Sequence, residues 1–294
     1  MQLGKIASQS FQKTNPGPIG QVINSFQNSF YIRTHEDELV FVTNRSLGSP
    51  ITVNVESNSN FEKLIPPNSS VTLRGEQILI DDYVAIRLAT AKPYKSPIEP
   101  IASKLAVNHN ELGRVAFILG ILNVSSSVLD INGISHDQSG RFAHKAALQL
   151  RAPFHDEQFA DEALELVGLG TGFTPSGDDL LGGFLATWNA LASMVGRSKI
   201  QLDFERLINR TSWISAKLLD YMQRGLLDSE AAHAIRSTVL GDKGEFALAI
   251  EALLPRGHTS GLDISTGMIL ATSLILDIKN KTRLTETLLN QLEL

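Results

Sequence analysis

From Phe30 to about Ala89 the chain alternates apolar and polar residues in short runs: FYIR, ELVFVTN, ITVNV, SVTLR, EQILI and VAIRLA. Their β-branched content, and the Asn, Ser, Gly and Pro between them, predict six short strands of an antiparallel barrel or sandwich. Val71 and Leu73, then Ile78 and Ile80, then Val84, Ile86 and Leu88 fall on one face, with turns at Arg74-Gly75-Glu76 and Asp81-Asp82-Tyr83. Past Lys92-Pro93-Tyr94-Lys95-Ser96-Pro97 the apolar period changes from two to about 3.6. Helices are predicted at about 98–107, 110–123, 139–151, 156–167, 175–195, 202–224, 228–240, 243–254, 260–277 and 281–292. The expected fold class is therefore α+β, a small β-rich domain at 1–95 followed by an all-helical domain at 96–294.

Two helix starts stand out. In Gly168-Leu169-Gly170-Thr171-Gly172-Phe173-Thr174-Pro175-Ser176-Gly177-Asp178-Asp179, Thr174 suits an N-cap and Pro175 the first helical position. Asp178 and Asp179 fall in the first turn, where the helix dipole favours negative charge. The alternating glycines permit positive φ, and amides at a helix N-terminus form an anion site. Gly170, Gly172, Thr174, Ser176 and Gly177 are thus candidate substrate ligands; a purely structural cap is the competing reading. No Gly-Lys-Ser/Thr follows, so this is not a nucleotide-binding P-loop.

The second start, Gly257-His258-Thr259-Ser260-Gly261-Leu262-Asp263-Ile264-Ser265-Thr266-Gly267, repeats the lettering Ser-Gly-x-Asp-x-x-x-Gly. Ser176, Gly177, Asp179 and Gly183 correspond to Ser260, Gly261, Asp263 and Gly267, each 84 positions later. Both motifs open helices that are apolar nearly all round, and Gly183 and Gly267 lie one turn beyond their aspartates. The two helices are expected to pack through these glycines, gathering Asp178, Asp179, Asp263, His258, Thr259, Ser260 and Gly261 around one pocket. Clustered buried carboxylates need compensation, either from amides or from a hard cation such as Mg²⁺. Asp178, Asp179, Asp263 and His258 are the candidate catalytic groups, His258 as a base held neutral by the adjoining helix start.

Along 202–224 the stripe Phe204, Ile208, Thr211, Ser215, Leu218, Met222 places two hydroxyls on an apolar face. Ser215 either lines the same pocket or bonds back to its own helix. Arg45, in the Thr43-Asn44-Arg45-Ser46 loop, either reaches an anionic substrate or is solvated. His35, His109, His136, His144, His155 and His233 sit in polar or amphipathic contexts and read as surface residues. Neither a Gly-x-Ser-x-Gly elbow nor a His-Glu-x-x-His motif occurs, which disfavours serine hydrolases and zinc proteases.

Composition narrows the partners. With 43% hydrophobic and 19% charged residues in 294, the chain is no disordered segment, and its apolar runs break before the ~18 to 20 residues of a membrane span. A net charge of -5 without a basic stripe argues against nucleic acid. The absence of cysteine removes disulfides, thiolate metal sites and cysteine nucleophiles. As MQLGKIASQS has no apolar signal core, a cytoplasmic setting is expected.

GLGTGFTPSGDDLLGG resembles the Gly-x-Gly-x-Gly-Leu-Thr-Pro-Ser-Gly-Asp-Asp signature of a bacterial family that includes the AllH-type subunit of oxamate carbamoyltransferase, with Phe173 where leucine is usual. GHTSGLDISTG is similar to that family's second signature. The resemblance implies a carbamoyltransferase subunit of anaerobic allantoin breakdown, acting beside other subunits or as a homo-oligomer on oxalurate and phosphate to give oxamate and carbamoyl phosphate. The amides of Gly177 and Gly261 would then hold the oxyanion, and His258 or Asp179 would manage the leaving proton. A metal-dependent hydrolase of a small amide or ester, and a non-catalytic partner subunit, are the alternatives.

Overall fold

A computed structural model describes residues 2–3, 17–45, 47–88, 92–93, 106–108, 110–116, 156–170, 172–240, 244–257 and 259–291. The predicted helix at 139–151, most of that at 98–107 and the end of that at 110–123 lie outside the described residues, as do Ser46, His109, His136, His144, His155, Thr171 and His258. The chain divides into two compact units, Met1–Pro97 with Leu227–Ser229, and Ile98–Leu226 with Glu230–Leu294.

Among the described residues the first unit holds one sheet of nine strands: β1 (Gln2–Leu3), β2 (Gly17–Phe26), β3 (Ser29–Thr34), β4 (Leu39–Thr43), β5 (Thr52–Asn54), β6 (Ser70–Arg74), β7 (Gln77–Ile80), β8 (Val84–Arg87) and β9 (Lys92–Pro93). Their order is β8-β7-β6-β2-β3-β4-β5-β1-β9. Inward side chains from β2 through β8, among them Ile19, Phe30, Val42, Val53, Val71, Ile80 and Ile86, join one buried cluster. A flat sheet could not bring strands this far apart onto shared neighbours, and the sheet curls into a half-barrel. A helical turn, α1 (Phe61–Leu64), inserts Phe61 edge-on against Phe30 at 5.4 Å. Both predicted turns are present, Asp81 and Asp82 with φ of 47° and 61°, and the Asp81 carboxylate accepts the Ser70 N–H at 2.7 Å.

Two features depart from the expected six antiparallel strands. The long strand β2 is disguised in sequence by Gly17, Pro18, Gly20, Asn24 and Ser25; its pairings absorb two register shifts, at Pro18/Gly20 and Val22/Asn24. The pair β4–β5 runs parallel, as does β1–β9. Between β4 and β5 the chain re-enters through a turn in which Ser49 Oγ accepts the Ile51 N–H at 3.3 Å. Arg45 is exposed in this connection.

The second unit is helical among the described residues: α2 (110–116), α3 (Asp156–Leu164), α4 (Ser176–Leu191), α5 (Phe204–Ile208), α6 (Trp213–Gln223), α7 (Ser229–Leu240, whose Ser229 groups with the first unit), α8 (Glu245–Leu253), α9 (Ser260–Asn280) and α10 (Leu284–Gln291). The helix predicted over 202–224 is two helices. Asn209 closes α5, and Ser212 opens α6 by accepting the Ser215 N–H at 3.2 Å, a cap that breaks the continuous pattern. By length and composition α9 passes as a membrane span, contrary to the reading of short apolar runs. It is buried from Asp263 to Asp277 and packs on α4 as a core helix.

The α4–α9 contact is set by two glycines. A Cβ at Gly183 would lie 2.1 Å from the Ile264 carbonyl oxygen, and one at Gly267 would lie 2.0 Å from the Leu180 carbonyl oxygen. Leu180 and Ile264 are themselves 84 positions apart, so the contact is reciprocal. Gly183→Ala and Gly267→Ala should each destabilise the protein by about 3 kcal/mol, since backbone cannot step aside as a side chain can. Urea unfolding midpoints check this. Because both substitutions force apart the same pair of helices, the double variant should lose less than the sum of the singles.

Candidate functional site

The glycines at 168, 170 and 172 have φ of +82°, +109° and +109°, as the alternating pattern predicts. The helix behind them begins one residue later than expected. Pro175, in extended geometry, is the cap of α4 and supplies no side-chain bond; Thr259 likewise offers no side-chain cap to α9. The hydroxyls near these starts turn to carboxylates instead.

Of the three motif aspartates, Asp178 accepts the most hydrogen bonds. Its Oδ1 accepts the Gly168 N–H at 2.8 Å, while Oδ2 accepts the hydroxyls of Thr211 at 2.5 Å and Ser215 at 2.6 Å. Burial raises its pKa, opposed by these bonds from Ser215, Thr211 and Gly168. Asp178 thereby clamps the glycine loop to the start of α6, a role different from the catalytic one expected. Ser215 is 1% exposed and donates to this clamp rather than back to its own helix.

Asp179 and Asp263 form the second arrangement. Thr174 Oγ1 donates to Asp179 Oδ2 at 2.9 Å and lies 3.3 Å from Ser260 Oγ. Ser260, at the start of α9, also bonds to Asp179 on α4; Ser176, at the start of α4, bonds to Asp263 on α9, as does Thr259. Each motif's serine therefore serves the other motif's aspartate. Burial pushes Asp179 up to about 7, helped by the charges of Asp263 and Asp178, and pushes Asp263 up to about 6. Asp179, Asp263 and Ser176 are buried; Thr174, Thr259 and Ser260 are half-buried, and Gly172 is exposed.

The amides expected to hold an oxyanion are already engaged. The Gly177 N–H donates to the Leu169 carbonyl at 2.9 Å and the Gly261 N–H to the Arg256 carbonyl at 3.0 Å. A Cβ at either glycine would meet a backbone carbonyl oxygen, Leu166 at 2.1 Å and Leu253 at 2.0 Å. Both glycines therefore permit close packing at the two helix starts. Among the described residues no group of three or more His, Cys, Asp or Glu side chains is placed to hold a metal ion.

Residues 166–272 match the sequence model described as oxamate carbamoyltransferase subunit AllH, and residues 3–93 match the AllH family N-terminal domain. The chain belongs to the AllH family. No solved structure matches it. The first AllH match opens just before the loop that Asp178 clamps, covers α4 and reaches into α9 as far as Thr272, so it includes both glycines of the reciprocal contact.

One residue of the site escapes a reading of the sequence. By its spacing Thr211 is only a small hydroxyl on a stripe, yet it makes the shortest of the bonds to Asp178. The signal for it is the cluster Asn209-Arg210-Thr211-Ser212, whose end-and-cap residues mark a helix break rather than a helix face.

The raised carboxyl of Asp179 makes stability depend on pH. An unfolded aspartate ionises near ~3.9, whereas folded Asp179 keeps its proton up to about 7. The folded state binds more protons in that window, so its stability falls as pH rises through it. The gain of Asp179→Asn over wild type should therefore grow by on the order of 3 kcal/mol between pH 5 and pH 8. Asp178→Ala should behave oppositely and lose about 3 kcal/mol, since it strands one amide and two hydroxyls. Denaturant titrations at both pH values separate the two.

Proposed function

We propose that this chain is a subunit of a carbamoyl-transferring enzyme of the oxamate carbamoyltransferase kind, and that the meeting point of α4 and α9 is where it handles substrate. Family membership supports the coarse statement. The observation that carries the finer one is Asp179: a buried carboxyl that gains and loses its proton near neutral pH, bordered by the half-buried hydroxyls of Thr174 and Ser260. A proton-transfer group works best with its pKa near the working pH.

In the reaction, a phosphate oxygen bonds to the ureido carbonyl carbon of oxalurate, and the bond from that carbon to the oxamate nitrogen breaks. The leaving nitrogen needs a proton. Protonated Asp179 supplies it and is left as the carboxylate; in the reverse direction Asp179 takes the proton back. Gly170, Gly172, Thr174 and the Thr259-Ser260 turn are the proposed ligand-facing positions, with Asp178, Thr211 and Ser215 holding the glycine loop in place.

A second reading has its own observation. Gly177, Gly183, Gly261 and Gly267 are all explained by backbone packing alone, which suits a non-catalytic subunit whose motifs only join two helices.

A thermal-shift titration of the whole protein with oxamate, carbamoyl phosphate and phosphate decides between them. The transferase reading predicts stabilisation by RT ln(1 + [L]/Kd), about 2.7 kcal/mol at a hundredfold excess over Kd. An anion beside Asp179 favours its protonated form, so binding should take up a proton and weaken as pH rises above about 7. If none of the three ligands shifts the melting temperature at any pH between 6 and 8, the packing-only reading stands.

A further inference from the structure

The two aspartates that lead the paired helices are equivalent in sequence and unequal in hydrogen bonding. Asp179 Oδ2 takes the Thr174 hydroxyl at 2.9 Å, and Ser260 also serves this residue. Asp263 is held by the hydroxyls of Ser176 and Thr259, yet its Oδ2 has no hydrogen-bond partner, although the residue is only 5% exposed. Among the described residues it is the one buried carboxylate oxygen in that condition. A buried polar atom without a partner is costly, and an atom retained that way at the junction of two helix starts calls for a ligand atom that pairs with it.

We propose that Asp263 Oδ2 receives the amide end of the substrate and makes the site prefer a primary carboxamide, –CO–NH₂, over a carboxylate; the proposal rests on the carbamoyl-transfer reading above. The two end groups have nearly the same shape, so discrimination must come from donors and charge. An ionised carboxylate only accepts hydrogen bonds: it pairs with an amide N–H and has nothing to offer a second carboxylate. In its protonated form it pairs with an amide on both sides, giving its proton to the C=O and accepting the N–H. The carboxyl of Asp179 on α4, which interacts electrostatically with Asp263, adds negative charge there and further disfavours a ligand carboxylate at this position. The Ser176 and Thr259 hydroxyls fix the orientation of the Asp263 group from the two helix starts. Loss of a single hydrogen-bond pairing in such a site is enough for strong rejection of the wrong isostere.

Oxamate and oxalate differ only at that end, and titration calorimetry of the whole protein with each, at pH 7.5, is the test. Wild type should bind oxamate at least about tenfold tighter than oxalate. Asp263→Asn keeps the shape, removes the charge and supplies an N–H donor, so it should lose affinity for oxamate, gain it for oxalate and reverse the order. Asp263→Ala, which removes the charge and the acceptor together, should bring the two affinities close to each other and covers the case in which the asparagine variant does not fold. Equal weakening of both ligands in the variants, with the wild-type ratio kept, would mean that Asp263 only supports the fold and would overturn the proposal while leaving the carbamoyl reading intact. If wild type binds neither oxamate nor carbamoyl phosphate, the reading beneath it fails and the proposal with it.

Discussion

The site depends on one close approach, the reciprocal contact in which Gly183 faces the Ile264 carbonyl and Gly267 faces the Leu180 carbonyl. No side chain larger than hydrogen fits at either position. Because the glycines sit one turn beyond the aspartates, closing this contact brings the starts of α4 and α9 within side-chain reach. Ser176 then meets Asp263 and Ser260 meets Asp179, which ties each helix to the other at its first turn. The same approach excludes water from the carboxyls. Their raised pKa values are thus a consequence of helix packing, and the packing is a consequence of two residues without side chains.

Three buried carboxyls would be a heavy burden on a fold of ordinary stability. The protein answers in two ways. Asp178 is served by one amide of the glycine loop and two hydroxyls at the start of α6, and so fastens the loop to that helix. Asp179 and Asp263 instead share a few hydroxyls and hold protons into the near-neutral range. The first arrangement is what a structural aspartate looks like. The second leaves groups able to exchange a proton and, at Asp263 Oδ2, an acceptor with no partner. Perturbed titration of this kind concentrates at sites of chemistry.

The sequence carries the geometry of this site better than its chemistry. The 84-residue self-match and the position of the glycines are enough to pair α4 with α9, because a glycine repeated one helical turn beyond an aspartate on two apolar helices marks a face where backbones meet. Inward-facing strand residues such as Val71, Ile78 and Ile86 are equally plain from alternation. What the sequence hides lies outside its periodic pattern. The amides of Gly177 and Gly261 look free for a ligand, but their acceptors, Leu169 and Arg256, are loop carbonyls whose position only the fold determines. The division between a clamp at Asp178 and proton-holding groups at Asp179 and Asp263 likewise rests on Thr211 and Ser215, more than thirty residues away. In the sheet, β2 is hidden by turn-forming residues that its register shifts tolerate, and the parallel course of β5 depends on a connection with no periodic signal.

The central claim is that helix packing leaves two protonatable carboxyls at one site. The most direct measurement is a carbon-13 carboxyl titration by NMR of the full chain, with Asp179→Asn and Asp263→Asn used to assign the resonances. The account predicts that Asp179 titrates near 7 and Asp263 near 6, and that removing either one lowers the pKa of the other. Both carboxyls titrating near ~4, as solvated aspartates do, would contradict it.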